Sequence, residues 1–144
     1  MTATGLVRRA GLLVALVVGL FALSACDPVL EQADLTSLNA LRTSRGLAAL
    51  VRDATLDRKA SAQAVRMARQ ESIFHSTDLS MGVQSGWTVI GENVGVGGTI
   101  PTIQTALENS PGHMANMVDP RFRRVGVGAV QRNGRIYIVQ VFVG

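Results

Sequence analysis

Few side chains in this sequence have chemistry to offer near neutral pH. The 144 residues include two histidines, His75 and His113, and one cysteine, Cys26. Glu92 joins them because it stands inside an apolar stretch, Trp87 to Val94, where an acid is costly to bury unless water, a cation or a hydrogen-bond donor meets it. Two neutral imidazoles and a carboxylate are also the donor types of a catalytic zinc site with an open fourth position. Glu92 follows His75 by 17 residues and precedes His113 by 21, so no local His-x-x-x-His helix brings them together. Only the tertiary fold can do that.

The elements that must position these residues are legible in order. Leu30, Ala33, Leu38 and Leu41 are spaced for one stripe of a helix from Leu30 to Arg45, with Gly46 placed to stop it. Arg42 and Arg45 fall in its last turn, where positive charge complements the helix dipole, and are read as helix-end residues without chemistry. A second helix is predicted from an Asp53 cap to about Gln70, with Leu56, Ala60, Ala64 and Met67 on its apolar face and Arg58, Lys59, Arg66 and Arg69 on its wet one. His75 follows that helix, and Ser76 to Gly86 reads as loop. Trp87 to Val94 is strand-like, and Gly95 to Gly98 reads as a turn. Thr99 and Pro101 open a third helix reaching about Glu108. Ser110 is placed to cap a short helix with Pro111 at its first position, aiming His113 from the first turn. Two strands, Val125 to Gln131 and Arg135 to Val143, are joined by Asn133-Gly134, a strong hairpin signal. Apolar residues on both faces make the last strand central and covered on both sides. Arg121, Arg123 and Arg124 form a basic knot, read as a solvated edge.

The chain opens with Arg8-Arg9 and an apolar run from Ala10 to Ala25, short for a membrane span and right for the hydrophobic region of a signal peptide. Leu23-Ser24-Ala25-Cys26 resembles a bacterial lipobox, in which the cysteine is lipidated and becomes the first mature residue. Two acyl chains anchor stably where one would be marginal. The expected organisation is therefore a leader over 1–25, a lipidated Cys26 with a short linker over 26–32, and one domain over 33–144. Setting aside Arg8 and Arg9 leaves 12 basic residues against 10 acidic. With one Trp and one Tyr, that balance argues against nucleic acid. A single cysteine excludes an intrachain disulfide.

Phe74-His75-Ser76, Gly91-Glu92-Asn93-Val94 and the stretch from Ser110 to Gly128 together resemble the CAP or SCP domain of cysteine-rich secretory, venom-antigen and pathogenesis-related proteins, in its cysteine-poor bacterial branch. The resemblance covers roughly residues 35 to 143. It implies an α+β fold, an α/β/α three-layer sandwich around a mostly antiparallel sheet, which the order of helices and closing hairpin also indicates. It further implies that Glu92 lines a cleft with His75 and His113, with the Ser110 hydroxyl where many relatives carry a second glutamate. Leu107 stands where many relatives have Trp.

Three functional readings follow. The first is a monomeric, lipid-anchored protein on the outer face of a bacterial membrane, whose cleft binds a small or lipid-like ligand or a divalent cation such as zinc. The second is a hydrolase in which Glu92 or a histidine activates water. The third is an interaction module with no ligand. No residues are assigned as catalytic, because no second acid matches the family position, and neither Ser76 nor Ser110 lies in a recognisable nucleophile motif.

Overall fold

A computed structural model describes residues 26–144. The expected leader over 1–25 lies outside the described residues. The elements are α1 (Pro28–Ser44), β1 (Val51–Arg52), α2 (Ala54–Gln70), β2 (Ile90–Gly97), α3 (Ile100–Glu108), α4 (Pro111–Met117), β3 (Arg124–Arg132) and β4 (Arg135–Val143). Helix α1 starts at Pro28, so residues expected as linker are already folded. Asp27 causes this: its carboxylate accepts from the backbone amides of Val29 and Leu30, and Pro28 occupies the first turn, where a missing N–H costs nothing. The Asp27 amide also donates to the Ala129 carbonyl at 2.8 Å, which ties the entry of α1 to β3. Among the described residues, no helix is long and apolar enough to cross a membrane.

The four strands form one sheet in the order β1-β3-β4-β2. The β3–β4 and β4–β2 pairs are antiparallel, and the two-residue β1 runs parallel to β3. Asn133 and Gly134 close the hairpin with φ of 49° and 72°, the left-handed backbone that an Asn-Gly turn supplies. Strand β4 is central, and its residues from Ile136 to Val143 are all buried. The sheet lies between α1, α3 and α4 on one face and α2 on the other, so two cores form. Val125, Val127, Ile138 and Phe142 pack with Leu38, Ile103, Leu107 and Met117 in the first. Val94, Tyr137, Val139 and Val141 pack with Leu56, Ala60, Ala64 and Met67 in the second. This is the expected three-layer α+β sandwich.

Helix α2 approaches the sheet closely because β3 offers it no side chains there. A Cβ at Gly126 would lie 2.0 Å from the Leu56 carbonyl carbon, and one at Gly128 2.4 Å from that of Ala60. The segment Gly95 to Gly98, expected as a turn, is strand as far as Gly97. Its glycines serve packing: a Cβ at Gly95 or Gly97 would come 2.9 or 2.8 Å from the Ile103 side chain on α3. Of the basic knot, Arg121 pairs with Asp119 and Arg124 with Asp53, while Arg123 is exposed.

Candidate functional site

Strand alternation decides which way the site residues of β2 face. Val94 belongs to the core under α2, whereas Gly91 and Gly95 face Asn116 of α4 and Ile103 of α3. Glu92 therefore turns to the α2 side and its neighbour Asn93 to the α4 side. Just past the end of α2, His75 and Ser76 close over Glu92. Its Oε1 is 2.9 Å from His75 Nδ1 and accepts the Ser76 amide at 2.8 Å. Its Oε2 accepts the Ser76 hydroxyl at 2.6 Å. The Glu92 side chain is only 3% exposed, and these donors answer the cost of burying an acid that the sequence predicts. The His75 ring is 58% exposed. Because both Glu92 oxygens act as acceptors, Nδ1 carries the proton and Nε2 is left as the open nitrogen of the neutral ring.

His113 reaches the same region from the other layer. It lies on α4, and its carbonyl accepts from Asn93 Nδ2 at 3.1 Å. Burial and then the charge His75 can carry hold the His113 imidazole below its ordinary pKa. Ser110 occupies the N-cap of α4 but makes no side-chain capping bond, contrary to expectation. Its backbone carbonyl serves instead, accepting from the Met114 amide at 2.8 Å. The zinc arrangement expected of His75, Glu92 and His113 is not assembled. Among the described residues, no group of three or more His, Cys, Asp or Glu side chains could hold a metal ion. The reason is local: Glu92 spends its oxygens on His75 and Ser76, and His113 is held to the strand through the residue that faces the opposite way.

A polar chain behind the site escapes the sequence reading. Asn116 Nδ2 donates to the Glu92 carbonyl at 3.3 Å and to Asn93 Oδ1 at 2.9 Å. Asn93 Nδ2 donates to Gln140 Oε1 at 3.2 Å, and Gln140 Nε2 donates to Asp34 Oδ2 at 2.8 Å. The chain thus runs from α4 through β2 and β4 to α1. Asp34 is fully buried, its Oδ1 has no partner, and burial pushes its carboxyl up to about 7 despite the Gln140 bond. Signals were present: Asp34 is four residues from both Leu30 and Leu38 along the apolar stripe, and Gln140 interrupts a buried strand.

Arg42 is also more than a helix-end charge. Its guanidinium is buried and donates to the carbonyls of Ala48 at 2.9 Å, Met117 at 2.9 Å, Asp119 at 3.0 Å and Phe122 at 3.4 Å. It fixes the exit of α4, and hence the helix that carries His113, to the end of α1. On the far side of His75 lies a groove of about 640 Å³ between α2 and the 74–82 loop. His75 and Ser76 belong to its wall, whereas Glu92 and His113 do not.

The chain is similar to known proteins in sequence and in fold. A family model described as the cysteine-rich secretory protein family, CAP, matches residues 35–143. The uncharacterized protein YkwD of Bacillus subtilis is 32% identical in a 114-residue alignment that covers 74% of this chain and 44% of that protein. The chain thus spans less than half the length of this curated relative. Among solved structures, an outer surface protein of Borrelia burgdorferi superposes with a TM-score of 0.68 at 18% identity, over 78% of this chain and 90% of that one. An extracellular SCP-domain protein of Bacillus anthracis gives 0.67 at 21% identity, over 78% and 39%.

Proposed function

The chain belongs to the CAP, or cysteine-rich secretory protein, family, and from that premise we propose that it is an extracytoplasmic binding protein of a bacterial envelope. In this reading Cys26 carries the lipid anchor, and the cleft at His75, Glu92 and His113 takes a small or lipid-like ligand without transforming it. The observation that carries the reading is the state of Glu92. Its carboxylate is nearly sealed and accepts from His75 and from the amide and hydroxyl of Ser76. Three of its roughly four acceptor sites are thereby used and the side chain is 3% exposed, so such a group serves mainly to position its neighbours. What it presents is an exposed imidazole with one nitrogen open, a hydrogen-bond acceptor suited to recognition. Divalent metal is not favoured as the ligand, because three donors do not converge.

A hydrolase is the second reading, and one observation favours it. An imidazole held through Nδ1 by a carboxylate is the arrangement of a general base. The Ser76 hydroxyl donates to Glu92 and not to the imidazole, so water would have to be the nucleophile. Native mass spectrometry of full-length protein purified from membranes separates the readings. Binding predicts a bound mass that is lost in His75→Ala while the fold, followed by circular dichroism, stays intact. Identical spectra for the two proteins would remove the cleft as a binding site. Turnover of an added ester that disappears in His75→Ala would move the assignment to the hydrolase.

A further inference from the structure

Among the described residues, the groove between α2 and the 74–82 loop carries two guanidinium groups without a carboxylate in contact, and a Lys59 ammonium that only the more distant Glu92 and Asp78 charges offset. Thr55, Arg58, Lys59, Gln63 and Arg66 recur at helical spacing and face it along α2. Among the described residues, neither Arg58, Lys59 nor Arg66 has a carboxylate within 4.0 Å, whereas Arg121 and Arg124 in the other basic cluster are paired. All three are oriented by neutral partners. Arg58 Nη2 donates to Thr55 Oγ1 at 3.0 Å, and Arg66 donates to Gln63 Oε1 through Nε at 3.0 Å and also through Nη2. Lys59 Nζ donates to the carbonyls of Asp78 and Met81 at 3.0 and 2.8 Å, which pins the loop over the helix and makes it the second wall. The one acid in that wall, Asp78, commits one oxygen to its own loop, Oδ1 accepting from the Ser80 amide and hydroxyl and from the Met81 amide, and its charge acts on Lys59 and not within 4.0 Å of either arginine.

We propose that this groove binds a phosphate-type oxyanion, with Arg58 and Arg66 as its principal ligands and Lys59 as the fixed charge between them. Planar guanidinium groups suit phosphate oxygens because two N–H donors meet two acceptors. A volume of about 640 Å³ admits a phosphate ester with an organic substituent, and the Phe74 and Met81 side chains supply apolar wall for it. The groove shares His75 and Ser76 with the cleft, but its proposed ligands Arg58, Lys59 and Arg66 all lie on α2 outside it, so a cleft that binds nothing leaves the proposal intact.

The test is a ¹H–¹⁵N titration of the full-length protein in uncharged maltoside micelles. Inorganic phosphate and glycerol phosphate are expected to shift the Thr77 amide and the Arg58 and Arg66 Nε–H signals to saturation. The double variant Arg58→Gln/Arg66→Gln is expected to weaken binding at least tenfold, and Arg69→Gln, on the same helix but outside the groove, less than twofold. All three arginines are exposed, so the fold survives these changes. Micelles doped with phosphatidylglycerol distinguish the source: shifts of the same signals by the lipid alone identify a headgroup site, and shifts by glycerol phosphate identify a soluble ester, either of which supports the groove. No saturable shift with any of these probes, or equal weakening by Arg69→Gln, would overturn it.

Discussion

Glu92 Oε1 lies 2.9 Å from His75 Nδ1, and this contact sets the tautomer of the more exposed of the two histidines. With both Glu92 oxygens accepting, the proton of the neutral ring belongs on Nδ1. Long-range ¹H–¹⁵N spectra of the imidazole should therefore report the Nδ1–H form in the unmodified protein. Glu92→Gln sets an amide N–H₂ against donors, and should lose that form together with about 1.5–3 kcal/mol of stability, the usual worth of hydrogen bonds to a charged group. An Nε2–H tautomer in the unmodified protein would show that the contact does not govern the ring.

His113 gives a second test through its neighbour. Its pKa is lowered first by burial and then by the charge of His75. His75→Asn should raise the His113 value in an NMR titration without returning it to an unperturbed histidine's, since burial persists. The sign for stability follows: the unfolded chain takes up a proton that the folded one resists, so the contribution of His113 falls as pH drops below about 6.5 toward the folded value. An unchanged His113 titration in His75→Asn would separate the two rings.

Helix-to-sheet spacing yields a third. A methyl at Gly128 would lie 2.4 Å from the Ala60 carbonyl carbon, and backbone cannot turn aside as a flexible side chain can. Gly128→Ala should cost about 1–3 kcal/mol or more by forcing α2 outward. Gly98→Ala meets nothing within 4 Å and should stay within about 0.5 kcal/mol. Urea denaturation of the two variants makes the comparison, and equal midpoints would mean that α2 is not packed as tightly as described.

These cases also show which parts of the fold local sequence could reveal. The Asp53 cap, the Asn133-Gly134 turn and the apolar periods of α2 and β4 are local signals, and the elements appear where they predict. Gly95 and Gly97 mislead because glycine serves equally for a turn and for a close approach, and only the position of Ile103 decides between them. Pairing of His75 with Glu92 depends on a loop folding back over a strand, and the family likeness, more than any spacing, points to it. The facing of Glu92 and Asn93 to opposite layers follows from strand alternation, but only after Gly91 to Gly97 is known to be strand. Arg42 reads as a helix end because its four carbonyl partners lie in other segments of the chain.

That clamp makes a fourth prediction. Arg42→Ala would leave buried carbonyls of Met117 and Phe122 without their donor, a loss on the order of 3–5 kcal/mol. Arg42→Lys, with a single ammonium in place of the fork, can reach fewer of them and should fall between. Urea midpoints with unchanged slopes would check this. A loss under about 1 kcal/mol in Arg42→Ala would mean that water replaces the guanidinium at little cost.

Asp34 closes the set because its burial has a definite pH signature. The folded carboxyl titrates at about 7, pushed up by burial against the opposing Gln140 bond, while an unfolded aspartate titrates near 4. Between those values the folded chain holds a proton that the unfolded chain has released. The contribution of Asp34 to stability must then decline as pH rises from about 4 to about 7, opposite in sign to that of His113, and this group adds no slope outside that window. The decline is on the order of a few kcal/mol, since each pKa unit is worth about 1.4. Asp34→Asn keeps an acceptor for Gln140 Nε2 and cannot ionise, so its advantage over the unmodified chain should be small at pH 4.5 and grow to its full size by pH 8. Urea unfolding of both proteins at pH 4.5, 6 and 8 measures that growth. A difference independent of pH would place the Asp34 proton elsewhere and break the link between α1 and the polar chain that reaches Asn93 beneath the site.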